Sequence, residues 1–419
     1  METLSNYSTL LVVLTAIFGF LMAFGIGAND VSNAMGTSVG SKAITPRQAI
    51  LVAMFFEGTG AYLAGGEVTE TIKDGIIDPT LFINQPEILV LGMMGALLAA
   101  GVWLLIASRV GWPVSTTHTI IGAIIGFACV TVGTDAVDWH SLLGIVGSWF
   151  ITPIIAGIIA YTIFTSTQRL IFDTESPLSN AKKYGPYYMG LTVFIISLVT
   201  IKKGLKHVGL HLDNLETFGL AVLFSLIAII ACRFYLRSAS FERQADSGFG
   251  GVEKVFRILM LLTACSMAFA HGSNDVANAI GPLSAVVSVV ENGGIVASKT
   301  QLAWWILPLG ALGIICGLAI MGHQVMGTIG TGITDLTPSR GFSAEFATAT
   351  TVILASGTGL PISTTQTLVG AVLGVGFARG IAALNLTVIR NIISSWVITL
   401  PAGAVFSIII FYTLKAVLL

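Results

Sequence analysis

Gly27-Ala28-Asn29-Asp30-Val31-Ser32-Asn33-Ala34-Met35-Gly36 returns 245 residues later as Gly272-Ser273-Asn274-Asp275-Val276-Ala277-Asn278-Ala279-Ile280-Gly281. Each copy lies inside an apolar stretch, where an Asn-Asp pair is unfavourable unless it finds partners. A second pair follows the first: Pro113-Val114-Ser115-Thr116-Thr117-His118-Thr119 and, 248 residues on, Pro361-Ile362-Ser363-Thr364-Thr365-Gln366-Thr367. Two fainter echoes keep the same order. Gly66-Glu67-Val68, Thr71-Ile72 and Gly75-Ile76 match His323-Gln324-Val325, Thr328-Ile329 and Gly332-Ile333, and Ser148-Trp149-Phe150-Ile151-Thr152-Pro153 matches Ser395-Trp396-Val397-Ile398-Thr399, with Pro401 close behind. One unit of about 165 residues has been duplicated, around an unpaired insert.

Composition fixes the medium. Of 419 residues, 54% are hydrophobic and only 10% charged, with a mean hydropathy of +0.89. A water-soluble domain carries about 25% charged residues, so most of this surface is not solvated by water. Twelve apolar segments are predicted, at roughly 9–35, 46–66, 86–109, 114–132, 141–170, 186–201, 216–237, 254–281, 300–325, 343–358, 361–378 and 389–417. They do not alternate as barrel strands would. The fold class is therefore an all-α polytopic membrane protein. The first apolar run continues straight into Asn29-Asp30 with no Lys or Arg before it, so no removable signal peptide is expected. Cys129, Cys232, Cys265 and Cys316 stand singly without metal-ligand spacing and read as small core residues.

The segments 114–132 and 361–378 are short, begin with Pro-x-Ser-Thr-Thr, and follow their predecessors closely. Hydroxyl residues there would cap unpaired helix N–H groups. Two re-entrant helical hairpins are expected, near 86–132 and 343–378. If neither adds a net crossing, 13 of the 20 Lys and Arg share one side, against Lys73, Arg109, Lys202, Lys203, Lys206, Lys299 and Lys415 on the other. The richer side is assigned to the cytoplasm and the N-terminus to the outside. The second unit is then inverted relative to the first. Residues 1–172 and 254–419 form the two repeats, joined by connecting segments and a short cytoplasmic linker in 173–253.

On a helix, Asn29, Asp30 and Asn33 present one oxygen-rich patch, and Asn274, Asp275 and Asn278 repeat it. Gly25 and Gly27 are expected to loosen the helix and free carbonyls, completing a hard cation site. The plainer reading is that these groups only bond neighbouring helices. A helix starting at mid-membrane aims its free N–H groups and positive dipole end at what lies ahead. Ser115, Thr116 and Thr117, with Ser363, Thr364 and Thr365, would form a donor cage for a tetrahedral oxyanion, unless they merely cap two apolar helices. An anion in a low-dielectric site needs accompanying cations. Asp30 and Asp275 with bound Na+ or H+ would supply them, which is coupling by charge compensation. Glu57 and Glu345 lie at membrane depth as further cation ligands or proton acceptors, or as interfacial hydrogen-bonding groups. Arg109 reads as an interfacial snorkelling residue more readily than an anion ligand. His118 and His271 have no histidine at the equivalent positions, Gln366 and Ile26, so a symmetric essential role is not expected of them.

At these motifs the chain resembles the inorganic phosphate transporter (PiT) family of secondary carriers, over essentially its whole length. The resemblance implies phosphate near Ser115–Thr117 and Ser363–Thr365, and sodium near Asn29, Asp30, Asn274 and Asp275. It also implies a homodimer and a part for Glu57 and Glu345 in phosphate transport. Gln366 stands where a histidine is common in the family. The sequence is thus read as a sodium-coupled phosphate importer working by alternating access, embedded in the lipid of the cell membrane. It is not read as an enzyme, and neither an organic cofactor nor a nucleic-acid partner is expected; Na+ is the coupling ion. Rival readings are a proton-coupled phosphate or sulfate symporter, a passive anion channel, and an intramembrane hydrolase, for which no HExxH or GxSxG motif speaks.

Overall fold

The computed structural model describes residues 7–203, 212–238, 249–296, 302–325, 335–380 and 385–419. Among these, thirteen α-helices follow one another: α1 (Ser8–Gly40), α2 (Pro46–Ala64), α3 (Gly66–Asp74), α4 (Pro86–Arg109), α5 (Thr116–Thr131), α6 (Trp139–Thr167), α7 (Pro177–Lys203), α8 (Asn214–Ser238), α9 (Gly250–Glu291), α10 (Ile306–Met321), α11 (Pro338–Gly357), α12 (Thr364–Arg379) and α13 (Leu386–Leu418). Every one of the twelve apolar segments carries one of these helices, and α3 is the addition. By length and hydropathy eight helices can cross a membrane, or nine if α2 and α3, bent by 64° at Gly65, form one span. Part of the echo around Thr328, Ile329, Gly332 and Ile333 lies outside the described residues, as do Lys206, Arg243, Lys299 and most of the expected linker.

Two expectations about the Asn-Asp stretches need correction. The apolar runs 9–35 and 254–281 are the visible parts of longer helices, of 33 and 42 residues. The motifs therefore sit inside helices that continue well past them. Nor do Gly25 and Gly27 loosen α1, which is helical through both. These glycines serve close approach instead: a Cβ on Gly27 would stand 2.1 Å from the Ile314 carbonyl oxygen of α10. Gly272 does the same on α9, where a Cβ would meet the Glu57 carbonyl oxygen of α2 at 2.1 Å. Two crossings with backbones nearly touching thus bracket the polar motifs.

Both predicted hairpins begin with a helix that stops at a left-handed glycine. Gly111 (φ +70°) follows α4 and Gly359 (φ +78°) follows α11, at equivalent places in the duplication. A side chain would strain that backbone, so glycine ends the helix there. Pro113 and Pro361 then keep the chain extended into Ser115 and Ser363, whose φ and ψ are in the β region. The returning helices α5 and α12 have 16 residues each. That is about 24 Å of rise, short of the roughly 30 Å hydrocarbon core of a bilayer.

α1 and α9 pack on each other at the centre, α5 packs along α13, and α12 along α6. The unduplicated pair α7 and α8 pack on one another, and α7 leans on α9. The outer faces stay apolar: Leu215 and Phe234 of α8 are 79% and 76% exposed. Such a surface suits lipid and not water. At the loop before α6, Asp138 accepts hydrogen bonds from the backbone N–H and the hydroxyl of Ser141. Those bonds start the helix and hold the Asp138 carboxyl below its ordinary range.

Candidate functional site

The two hairpin tips touch. Thr117 Oγ1 donates to the Ile362 carbonyl at 2.9 Å, and Thr365 Oγ1 to the Val114 carbonyl at 3.4 Å. Positions 117 and 365, like 114 and 362, are equivalent in the duplication, so one contact is made twice. Ser115 Oγ accepts from the N–H of His118 at 3.2 Å, and Ser363 Oγ from that of Gln366 at 3.3 Å. Each serine is thereby an N-cap that uses its oxygen as acceptor and leaves its hydroxyl hydrogen for another partner. Ser115, Thr116, Thr117, Ser363, Thr364 and Thr365 are all buried. Gln366 is buried too, beside the cap, with its Oε1 unpartnered.

The asparagines divide their work. Asn29 Nδ2 donates to the Trp112 carbonyl at 2.9 Å and to Ser108 Oγ at 3.3 Å, and its Oδ1 accepts from Val114 N at 3.2 Å. The Asn274 amide meets Ser356 Oγ at 3.0 Å in either orientation. Oriented to satisfy both ends, its nitrogen donates to Asp275 Oδ1 at 2.9 Å and to the Ile362 carbonyl at 3.1 Å. The first asparagine of each motif therefore holds the hairpin of its own half. The second reaches across: Asn33 Nδ2 bonds Thr365 Oγ1 at 2.7 Å and Asp30 Oδ1 at 3.0 Å. Asn278 Nδ2 bonds Thr117 and Thr116 Oγ1 at 3.2 and 3.4 Å.

The carboxylates converge behind these bonds. Asp30, His271 and Asp275 each bring one ligand atom to within 4.8 Å of the others, and all three are buried. Thr364 Oγ1 donates to Asp275 Oδ2 at 2.9 Å. His271 lies between two acids, with Nε2 2.8 Å from Asp275 Oδ2 and Nδ1 3.2 Å from Glu57 Oε2. Glu57 Oε1 has no donor at all. Asp30 Oδ2, Asn33 Oδ1 and Asn278 Oδ1 also lack one. Two carboxylates this close repel whenever both are ionised. Donorless oxygens on both halves, next to that repulsion, form a coordination environment that a small hard cation suits.

Other expected residues lie apart. Glu345 does not join this cluster. It accepts from Thr37 and Ser38 Oγ of α1 at 2.6 Å each and from Thr263 of α9 at 2.9 Å, two helical turns along α1 from Asp30. Arg109 is exposed at the end of α4. His271, whose equivalent is Ile26, lies in this cluster although no symmetric role was expected of it. Its spacing of four from Asp275 was the signal, since i and i+4 share a helix face. Ser108 and Ser356 were missed as well, although they stand 248 residues apart and extending the duplication would have found them.

Apolar outer helices around a buried, oxygen-lined centre, closed by two short helices, define an integral membrane protein of the transport class. The profile of the phosphate transporter family matches residues 26–407. A phosphate permease of Haemophilus influenzae is 69% identical over the full length of both chains. One from Pyrococcus abyssi is 44% identical, covering 96% of this chain and 97% of its own. A solved structure titled as the sodium-dependent phosphate transporter superposes with a TM-score of 0.91 at 42% identity, over 97% of this chain and 99% of its own. The chain belongs to the phosphate transporter family.

Proposed function

We propose that this chain imports inorganic phosphate by symport with sodium ions, through alternating access around the single central site. Residues 1–172 and 254–419 act as inverted repeats, with the N-terminus outside and 173–253 as the connection. Ser115, Thr116, Thr117, Ser363, Thr364 and Thr365 hold the anion with their hydroxyls and the N–H groups of two helix starts. Asn29, Asp30, Asn33, Asn274, Asp275 and Asn278 hold sodium, with Glu57 completing the acidic cluster. The observation that carries this reading is the double Thr117–Ile362 and Thr365–Val114 contact. Two helix N-termini meeting at one buried point beside Asp30 and Asp275 support a site in which anion and cation would neutralise each other. The sodium-dependent transporter of similar structure supports the choice of coupling ion.

The deciding experiment is uptake of radiolabelled phosphate by purified protein in liposomes, under separately imposed sodium and proton gradients, with sulfate as competitor. Uptake is expected with the sodium gradient alone. Uptake driven only by the proton gradient would replace sodium with H+, a second reading favoured by one observation: His271 between Glu57 and Asp275. Sulfate competing at phosphate concentrations would overturn the substrate. The homodimer belongs to the same proposal and is tested by light scattering of the detergent-solubilised protein.

A further inference from the structure

The internal duplication allows each half's surroundings to be compared position by position, and they differ at one place. Both returning hairpin helices press on a long helix in the same way. A Cβ on Gly122 of α5 would meet the Leu400 carbonyl oxygen of α13 at 2.2 Å, and one on Gly370 of α12 the Pro153 carbonyl oxygen of α6 at 2.2 Å. Beyond those crossings, toward the hairpin tips, the two sides part. On the α6 side, Trp149 is 6% exposed, its Nε1 lies 3.4 Å from the Pro361 carbonyl, and its ring lies 3.9 Å from the His118 ring. Thr367 Oγ1 of α12 further bonds Thr152 Oγ1 of α6 at 3.3 Å. On the α13 side, the equivalent Trp396 is only half-buried and its Nε1 has no hydrogen-bond partner. Between α13 and the first tip lies a cavity of about 470 Å³, lined mainly by apolar groups of Trp103, Trp112, Val114, Ile392 and Ile398, with Asn391 and Ser395 among its few polar ones.

From this difference we infer that Trp149 and Trp396 are paired gate residues. Trp149 is seated on its hairpin tip at Pro361; at the first tip Ser395 Oγ meets the Pro113 carbonyl at 3.4 Å, and Trp396 Nε1 bonds nothing. The first three turns of α13 are the moving wall, and the cavity is the vestibule through which the oxyanion reaches Ser115. Three features fit a passage for an anion. The cavity ends at Pro113 and Val114, immediately before the cap serine. Asn391 and Ser395 bring polar groups into a span that lipid alone would not require. Trp103 Nε1, a buried donor, is left unpartnered at its wall. In the opposite state Trp396 Nε1 replaces Ser395 Oγ on the Pro113 carbonyl and Trp149 leaves Pro361. The inference rests on the transport reading for the vestibule's cargo, but the exchange of the two walls stands independently of which solute moves.

The test uses the full chain with Cys129, Cys232, Cys265 and Cys316 replaced by alanine, carrying one of two equivalent cysteine pairs. Trp112→Cys with Ile392→Cys spans the vestibule, and Leu360→Cys with Ile145→Cys spans the closed side. Oxidation is expected to cross-link the closed-side pair several-fold faster. With all four cysteines present, locking one pair is expected to prevent the other from forming. Both cross-links forming together in one molecule would overturn the inference. So would unchanged phosphate exchange by protein locked at Trp112 and Ile392, which would make the cavity a lipid-facing groove. Trp149→Phe keeps the ring and removes the bond to Pro361, so it is expected to speed the vestibule cross-link; Trp396→Phe is expected to slow it. Shifts in the same direction would also count against paired gates. A protein that carries no phosphate under any gradient would defeat the transport reading, while the cross-linking rates would still decide the wall exchange.

Discussion

Asn33 and Thr365 stand 332 positions apart in the chain and 2.7 Å apart in space. The equivalent pair, Asn278 and Thr117, meets at 3.2 Å. Each half therefore holds the tip of the other half's hairpin, and neither half can form its part of the centre alone.

From this mutual hold follows a kinetic expectation. At saturating sodium, so that their proposed part in holding sodium is not limiting, Asn33→Ala removes its buried hydrogen bond to Thr365 and Asn278→Ala those to Thr116 and Thr117, with about 1.4 kcal/mol, or tenfold, expected for each variant. The KM for phosphate should rise about tenfold in either variant, in initial-rate uptake by proteoliposomes. Unchanged KM in both would mean that the bond positions nothing.

Asp30 and Asp275 carry the charge that a coupling cation would balance. Asp30→Asn or Asp275→Asn should abolish the stimulation of uptake by sodium. Sodium titrations of uptake, with the fold verified by gel filtration, provide the check, and a preserved sodium response would remove these residues from the cation site.

Glu345 offers a contrast, since three hydroxyls already satisfy it. Glu345→Gln puts an amide N–H₂ against groups that now donate, and should lower unfolding stability by about 2 kcal/mol or more. Sodium affinity should be unaffected. Thermal unfolding in detergent and sodium binding separate the two; a loss of sodium binding at unchanged stability would make Glu345 a cation ligand.

The helix crossings at Gly27 and Gly272 leave no room for a methyl group. Gly27→Ala or Gly272→Ala should sharply reduce the yield of folded protein, because backbone cannot yield as a flexible side chain can. Gly144→Ala, with nothing within 4 Å of the added Cβ, is the control and should gain about 0.5–1 kcal/mol of helix stability. Monodispersity after detergent extraction reports both.

Much of this was open to reading before any coordinates. Hydrophobic periodicity located twelve of the thirteen helices, because a chain in lipid must pair its backbone within each segment. The helix-start motifs located the two caps, since Ser115 and Ser363 are residue types that satisfy orphan N–H groups. The duplicated Asn-Asp stretches supplied the polar centre, because buried polar groups need partners. Misreadings arose where a residue's use depends on what faces it. Gly27 was expected to loosen its helix, yet it is a contact point for α10. Glu345 was left open between cation ligand, proton acceptor and hydrogen-bonding group, and Thr37, Ser38 and Thr263 are the partners it found. His271 was given no symmetric role, and its place between Glu57 and Asp275 could not be read from the chain.

By itself, then, the sequence determined which segments are helical, where two of them start, and which polar side chains must find partners, because these follow from local stereochemistry and the solvent. Only the tertiary structure decided which partner each one found. That the two tips touch, that each asparagine pair splits between its own hairpin and the opposite one, and that Trp149 is seated while Trp396 is not, all depend on distances across the packed halves. Packing sets those distances, and two copies of one motif can be packed differently.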